Sequence, residues 1–198
     1  MTILSVGCSF LCSRGDVEPQ VSIISKKLNI ELDNRSISGN GNTHIVYNTM
    51  KAILENPNKY SLVLIGWSNP ARWDFVTAPH KWFAIKMGNV ISTSSNKSIN
   101  IEDTLFRHWA PQALLLGSWL RDQKIPFVMW NSLKCWNHGD SVLHNEIKNM
   151  KEFYQPTICH IDKLREKQEW ISSTDDHPNQ KSHNDWADDI LNFYREIH

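Results

Sequence analysis

The chain has 198 residues, a length that predicts one domain able to bury a full core without metal or disulfide staples. Its 21 Lys and Arg balance 21 Asp and Glu, which argues against a protein held to nucleic acid or anionic lipid by a bulk basic field. A composition of 40% hydrophobic and 21% charged residues excludes a disordered chain, and nine Trp predict flat apolar rings at the surface for a ligand or partner.

Taken in chain order, Thr2–Val6 reads as a buried strand, followed by a loop and a helix over Glu18–Leu28. Ile30–Ile37 is a second strand, and Thr43–Leu54 carries helical spacing through Ile45, Val46, Met50, Ile53 and Leu54. Tyr60–Ile65 is the clearest central strand. Residues 77–100 are polar and broken, and predict an excursion from the main fold. Glu102–Gln123 is a long helix with Pro111 as a point of interruption, and Ile125–Trp130 a fourth strand. Asp140–Tyr154 predicts a helix, Thr157–Ile161 a short strand, and Lys181–Ile197 a final helix. There is no repeat and no linker, so the expectation is one domain over residues 1–198. Alternating strands and helices predict an α/β fold: a three-layer α/β/α sandwich around a mostly parallel five-stranded sheet in flavodoxin-like order. In such sheets the ligand site lies beyond the carboxyl ends of the strands, where strand order reverses.

Four segments fall at that edge. Gly7-Cys8-Ser9-Phe10 follows the first strand, and Ser9 there reads either as a nucleophile or as the cap of a turn. Asn34-Arg35-Ser36-Ile37-Ser38-Gly39-Asn40-Gly41-Asn42 offers a Gly39 N–H to a developing oxyanion, or a polar turn with Asn42 as helix N-cap. Gly66-Trp67-Ser68-Asn69-Pro70 could supply a further donor or form an ordinary turn. Thr174-Asp175-Asp176-His177-Pro178-Asn179 pairs a base with a carboxylate, or is a polar turn whose charges favour the next helix N-terminus. Their coincidence, in the order Ser, Asp, His, favours an acyl-transfer site.

Those segments resemble the sequence blocks of the SGNH (GDSL-type) hydrolases, in matching order over residues 3–195. The resemblance implies a flavodoxin-like sandwich and an ester hydrolase needing no cofactor. Carried over, it makes Ser9 the nucleophile and His177 the base, and joins Gly39 and Asn69 to the Ser9 N–H in an oxyanion hole. Two positions depart from the family pattern. Asn69 lies one residue further from Gly66 than usual, so that Ser68 holds the expected place. The acid usually stands three residues before the His, where this chain has Thr174; Asp175 is the chosen orienting acid and Asp176 its alternative.

The expected substrate is a small O-acyl ester, O-acetyl on a saccharide, with Trp67 and Trp82 as stacking surfaces and Arg72 as a contact for an anionic group. The other class of reading is a catalytically weak binding or structural protein on the same fold, with the Trp-rich surface serving oligomerisation. No metal is expected. Cys8-x₃-Cys12 and His177-x₅-His183 have zinc-like spacing, but the pairs are far apart in sequence. Cys8, Cys12, Cys135 and Cys159 read as reduced thiols, the N-terminus has no basic start, and the longest apolar stretches fall short of the ~20 residues a bilayer needs. The expectations are a cytoplasmic location and no nucleic-acid or membrane partner. Gly-Trp-Ser-Asn-Pro-Ala-Arg and Asp-Asp-His-Pro-Asn are also similar to SGNH-like proteins of tailed phages, which makes virion association the alternative location.

Overall fold

The computed structural model describes residues 1–77, 81–86, 101–133 and 141–198. Strand β1 (Thr2–Gly7) leads through a 3₁₀ turn at Ser9–Leu11 to α1 (Gln20–Leu28), β2 (Glu31–Asn34), α2 (Asn42–Glu55) and β3 (Tyr60–Trp67). A hairpin of β4 (Arg72–Thr77) and β5 (Lys81–Lys86) precedes α3 (Ile101–Asp122). After β6 (Phe127–Asn131) come α4 (Ser141–Asn149), α5 (His160–Lys167), a second hairpin of β7 (Trp170–Ser172) and β8 (Asp175–Pro178), and α6 (Gln180–Ile197).

The central sheet runs β2-β1-β3-β6 with every pairing parallel, the flavodoxin-like order. Strands β1, β3 and β6 are largely apolar and buried because each face meets a helical layer, whereas the edge strand β2 is polar and partly exposed. Leu4, Val6, Val63, Ile65, Phe127 and Met129 join one core with Ile45 and Ile53 of α2 and Phe106 and Trp109 of α3. The alternate residues Ile3, Leu62, Leu64, Val128 and Trp130 join a second core with Val21 and Ile24 of α1 and Trp186 and Ile190 of α6. A period of two thus fills both layers.

Among the described residues the sheet has four strands where five were expected. Thr157–Ile161 is not a strand; α5 begins inside it, at His160. Among the described residues beyond β6 there are isolated parallel bridges, Met129 to Phe153 and Asn131 to Cys159. Between them Gln155 has φ of 41° and Pro156 lacks an N–H, so a ladder cannot run through. Pro111 lies within α3 without ending it, and α4 stops at Asn149 rather than Tyr154. The segment set apart as an excursion from residue 77 leaves the sheet earlier, at β4; residues 78–80 and 87–100 lie outside the described residues.

Trp67, Trp109, Trp130 and Trp186 are all at most 2% exposed, so these rings are core and not surface platforms. Trp67 packs edge-on against Trp109 at 6.1 Å, which in turn meets Phe106 and Phe153 edge-on. Among the described residues no helix is long and apolar enough to cross a membrane.

Candidate active site

Ser9 opens the 3₁₀ turn at the carboxyl end of β1, so its N–H is among the donors that the turn leaves without a partner. Cys8, beside it, points the other way and is fully buried in the α1/α6 core, where burial pushes its thiol up. The hydroxyl of Ser9 instead meets a histidine from the far end of the chain. His177 Nε2 lies 2.9 Å from Ser9 Oγ, and His177 Nδ1 lies 2.6 Å from Asp175 Oδ1. The ring also packs against Phe10, centroid to centroid 5.4 Å.

The spacing of the acid follows from local structure. Asp175–Pro178 is an extended strand, and residues two apart on a strand project from the same face. Thr174, three residues before His177, lies in the turn ahead of that strand. The β7–β8 hairpin is closed by Ser172, whose Oγ accepts from the N–H groups of Thr174 and Asp175. The His177 N–H donates to Asp175 Oδ1 at 3.1 Å, locking the pair. Asp176 Oδ1 is 3.8 Å from the ring and its side chain is 77% exposed, so Asp175 holds the imidazole. The His177 ring and N–H bonds, with Arg14 at 3.5 Å, hold the Asp175 carboxyl below the usual carboxylate range. Asn179 then caps α6, accepting from Ser182 N–H, which fixes where the helix starts and hence where the hairpin ends.

The donor loops are tied together by contacts that the sequence did not reveal. Gly39 has φ of +86°, a conformation that favours glycine. Asn42, expected as the helix N-cap, lies inside α2 behind Gly41 and clasps Ser68: its Oδ1 accepts from Ser68 N–H and its Nδ2 donates to Ser68 O. Asp74 from β4 reaches back to accept from the N–H groups of Gly41 and His44, at 2.7 and 2.8 Å. A Cβ on Gly41 would lie 2.5 Å from Arg72 O, so only glycine lets the hairpin approach this closely.

Ser9, Gly39, Asn69 and His177 line one cleft of about 410 Å³. Asn69 Oδ1 accepts from Ala71 N–H, which leaves its Nδ2 as the free donor. Ser68, in the usual family place, is 2% exposed, and its Oγ accepts from Arg72. Arg72 lines the cleft, as do two arginines that sequence reading missed, Arg14 and Arg165. Trp67, expected beside the substrate, is 0% exposed because it is the last inward-facing residue of β3. The side chain of Trp82 lies outside the described residues, as do Cys135 and Trp136. The metal-capable group found among the described residues is Asp175, Asp176 and His177, whose ligand atoms lie within 4.8 Å of one another. The His177 Nδ1 that would bind an ion there is already engaged by Asp175.

No family model and no curated protein sequence matches the chain. Solved structures do. The chain is similar to TesA, with 13% identity over all of both chains and a TM-score of 0.62. It is similar to the psychrotrophic esterase EstA from Pseudoalteromonas sp., with 14% identity over 98% of this chain and 97% of that one and a TM-score of 0.58. A GDSL-like lipase from Bacteroides thetaiotaomicron gives 11% identity over 100% and 89%, with a TM-score of 0.58. The fold is that of the SGNH (GDSL-type) hydrolases.

Proposed function

We propose that the chain is a serine ester hydrolase acting on small O-acyl esters. The observation that carries this reading is the unbroken relay from Ser9 Oγ to His177 Nε2 and from His177 Nδ1 to Asp175 Oδ1. In the reaction His177 Nε2 takes the Ser9 proton as Oγ attacks the ester carbonyl carbon. The carbonyl π electrons move to oxygen, and the Ser9 and Gly39 N–H groups and the Asn69 amide receive that oxyanion. The tetrahedral species collapses, the alkoxide leaves with the proton from His177, and water repeats the sequence to release the acid and restore Ser9. Asp175 stays ionised and stabilises the imidazolium. A cleft of about 410 Å³ has room for a small O-acyl ester such as an acetate.

The test is intact-mass analysis after a fluorophosphonate probe, which phosphonylates an activated serine, together with hydrolysis of 4-nitrophenyl acetate. One adduct on the wild-type chain and none on Ser9→Ala is expected, with turnover unaffected by a chelator. An adduct retained by Ser9→Ala, or turnover abolished by the chelator, overturns the reading.

A further inference from the structure

The charges around the cleft are unequal. Arg14, Arg72 and Arg165 line it against a single lining carboxylate, Asp176, on a chain whose formal charge is zero. Arg14 is occupied, since it pairs with Asp175. Arg72 donates to a neutral hydroxyl, Ser68 Oγ at 3.2 Å, and neither Arg72 nor Arg165 has a carboxylate within 4.0 Å among the described residues. The two come from unrelated elements, the start of β4 and the last turn of α5. Two arginines away from the cleft are paired: Arg35 with Asp33, and Arg121 through two bonds to Glu152. An arginine in a cleft with no carboxylate within ion-pair distance presents a fork matched to carboxylate or phosphate oxygens.

We infer that the cleft selects an ester bearing an anionic oxygen group, a carboxylate or phosphate, held by Arg72 and Arg165 while Ser9 meets the acyl carbon. This rests on the hydrolase reading and deepens it by naming the substrate class. The reacting bond is far weaker in charge than the anion, so the arginines supply binding energy from a part of the substrate that does not react.

Matched substrates place the charge on either side of the ester. Mono-4-nitrophenyl succinate against 4-nitrophenyl pentanoate tests the acyl side, 4-acetoxybenzoate against its methyl ester the alcohol side, and 4-acetoxyphenyl phosphate the phosphate. The wild-type chain should prefer the charged member of at least one pair by about tenfold or more in kcat/KM, a preference that falls as salt rises. Arg72→Gln and Arg165→Gln should each erode that ratio through KM rather than kcat, with Arg165→Lys restoring part of it. Calorimetric binding of the inert amide 4-acetamidobenzoate against 4-acetamidobenzamide reads the anion site without catalysis. Hydrolysis with no charge preference in any pair and no difference between the amides overturns the inference and leaves the hydrolase. Anion-selective amide binding without any ester hydrolysis overturns the hydrolase and leaves an anion-binding cleft.

Discussion

At the scale of single residues, the site depends on which side chains act together. Ser9, His177 and Asp175 form one hydrogen-bonded line, so disabling any member disables the step they share. Ser9→Ala and His177→Ala are each expected to remove most ester turnover, and the double variant to be little worse than either; steady-state kinetics on 4-nitrophenyl acetate measures it. Losses that multiply would show that the two residues act independently. The neighbouring carboxylates separate just as clearly. Asp175→Asn keeps a hydrogen-bonding partner but removes the charge that holds the tautomer, with an expected loss of about 10²-fold or more in kcat. Asp176→Asn, at 3.8 Å and largely in water, should change kcat by less than about threefold. The reverse ranking would transfer the role of orienting acid to Asp176. Sequence spacing left that choice open because it does not say whether residues 174–177 turn or extend; once β8 is a strand, the i and i+2 relation decides it.

At the scale of elements, the β4–β5 hairpin is fastened to the N-terminus of α2 through one carboxylate. Asp74 takes the Gly41 and His44 N–H groups, doing from a distant strand what an N-cap side chain does locally, with its charge favourable at the positive helix end. Asp74→Ala should therefore cost about 1–2 kcal/mol of unfolding free energy in urea titrations, and lower ester turnover as well, because the cleft residues Gly39 and Arg72 sit on the two segments it joins. An unchanged midpoint would mean that solvent replaces both bonds without penalty. This fastening was invisible in the sequence, since residues 41 and 74 are far apart and neither carries a local capping pattern. Strands β1, β3 and β6 were legible because apolar runs with β-branched residues have no other stable home, and α2 and α6 because their apolar residues recur at helical spacing. The element misread as a strand, residues 157–161, has a short apolar run that a helix start satisfies equally, and tertiary placement beside β6 decided it. The tryptophans misled for a related reason: composition counts rings, while only the fold shows that Trp67 and Trp109 fill the layer between β3 and α3.

At the scale of the whole molecule, the site is closed by α6, the last element, and the layer behind it holds two buried imidazoles. His183 is 3% exposed, with Nδ1 2.6 Å from the Gln20 amide oxygen of α1; His160 is 1% exposed, stacked on Trp186 at 4.4 Å with Nε2 3.1 Å from Ser182 Oγ. Burial, then the nearby His177, lowers the His183 pKa to about 4, and burial, then His183, lowers that of His160 well below the ordinary value. In the unfolded chain both titrate near 6.5. Between those values the unfolded state binds protons that the folded state refuses, so stability is complete above about pH 6.5 and falls as pH drops toward 4. Lowering the pH from 7.5 to 5 should cost about 2 kcal/mol through His183, from the 1.36 kcal/mol carried by each pKa unit, with His160 acting in the same direction. Asp33, whose burial is outweighed by bonds from Tyr60, Lys59 and Arg35, is held down to about 2, so its contribution is lost only between about pH 4 and pH 2. Because α6 follows directly from β8, loosening it also releases His177 from Ser9, and activity at mild acid should decline with the unfolding free energy. Urea titrations at both pH values, on the wild-type chain and on His183→Gln, measure the effect: the variant should show a smaller difference between the two pH values, and equal wild-type stability at pH 5 and pH 7.5 would remove the buried imidazoles as the acid-sensitive element.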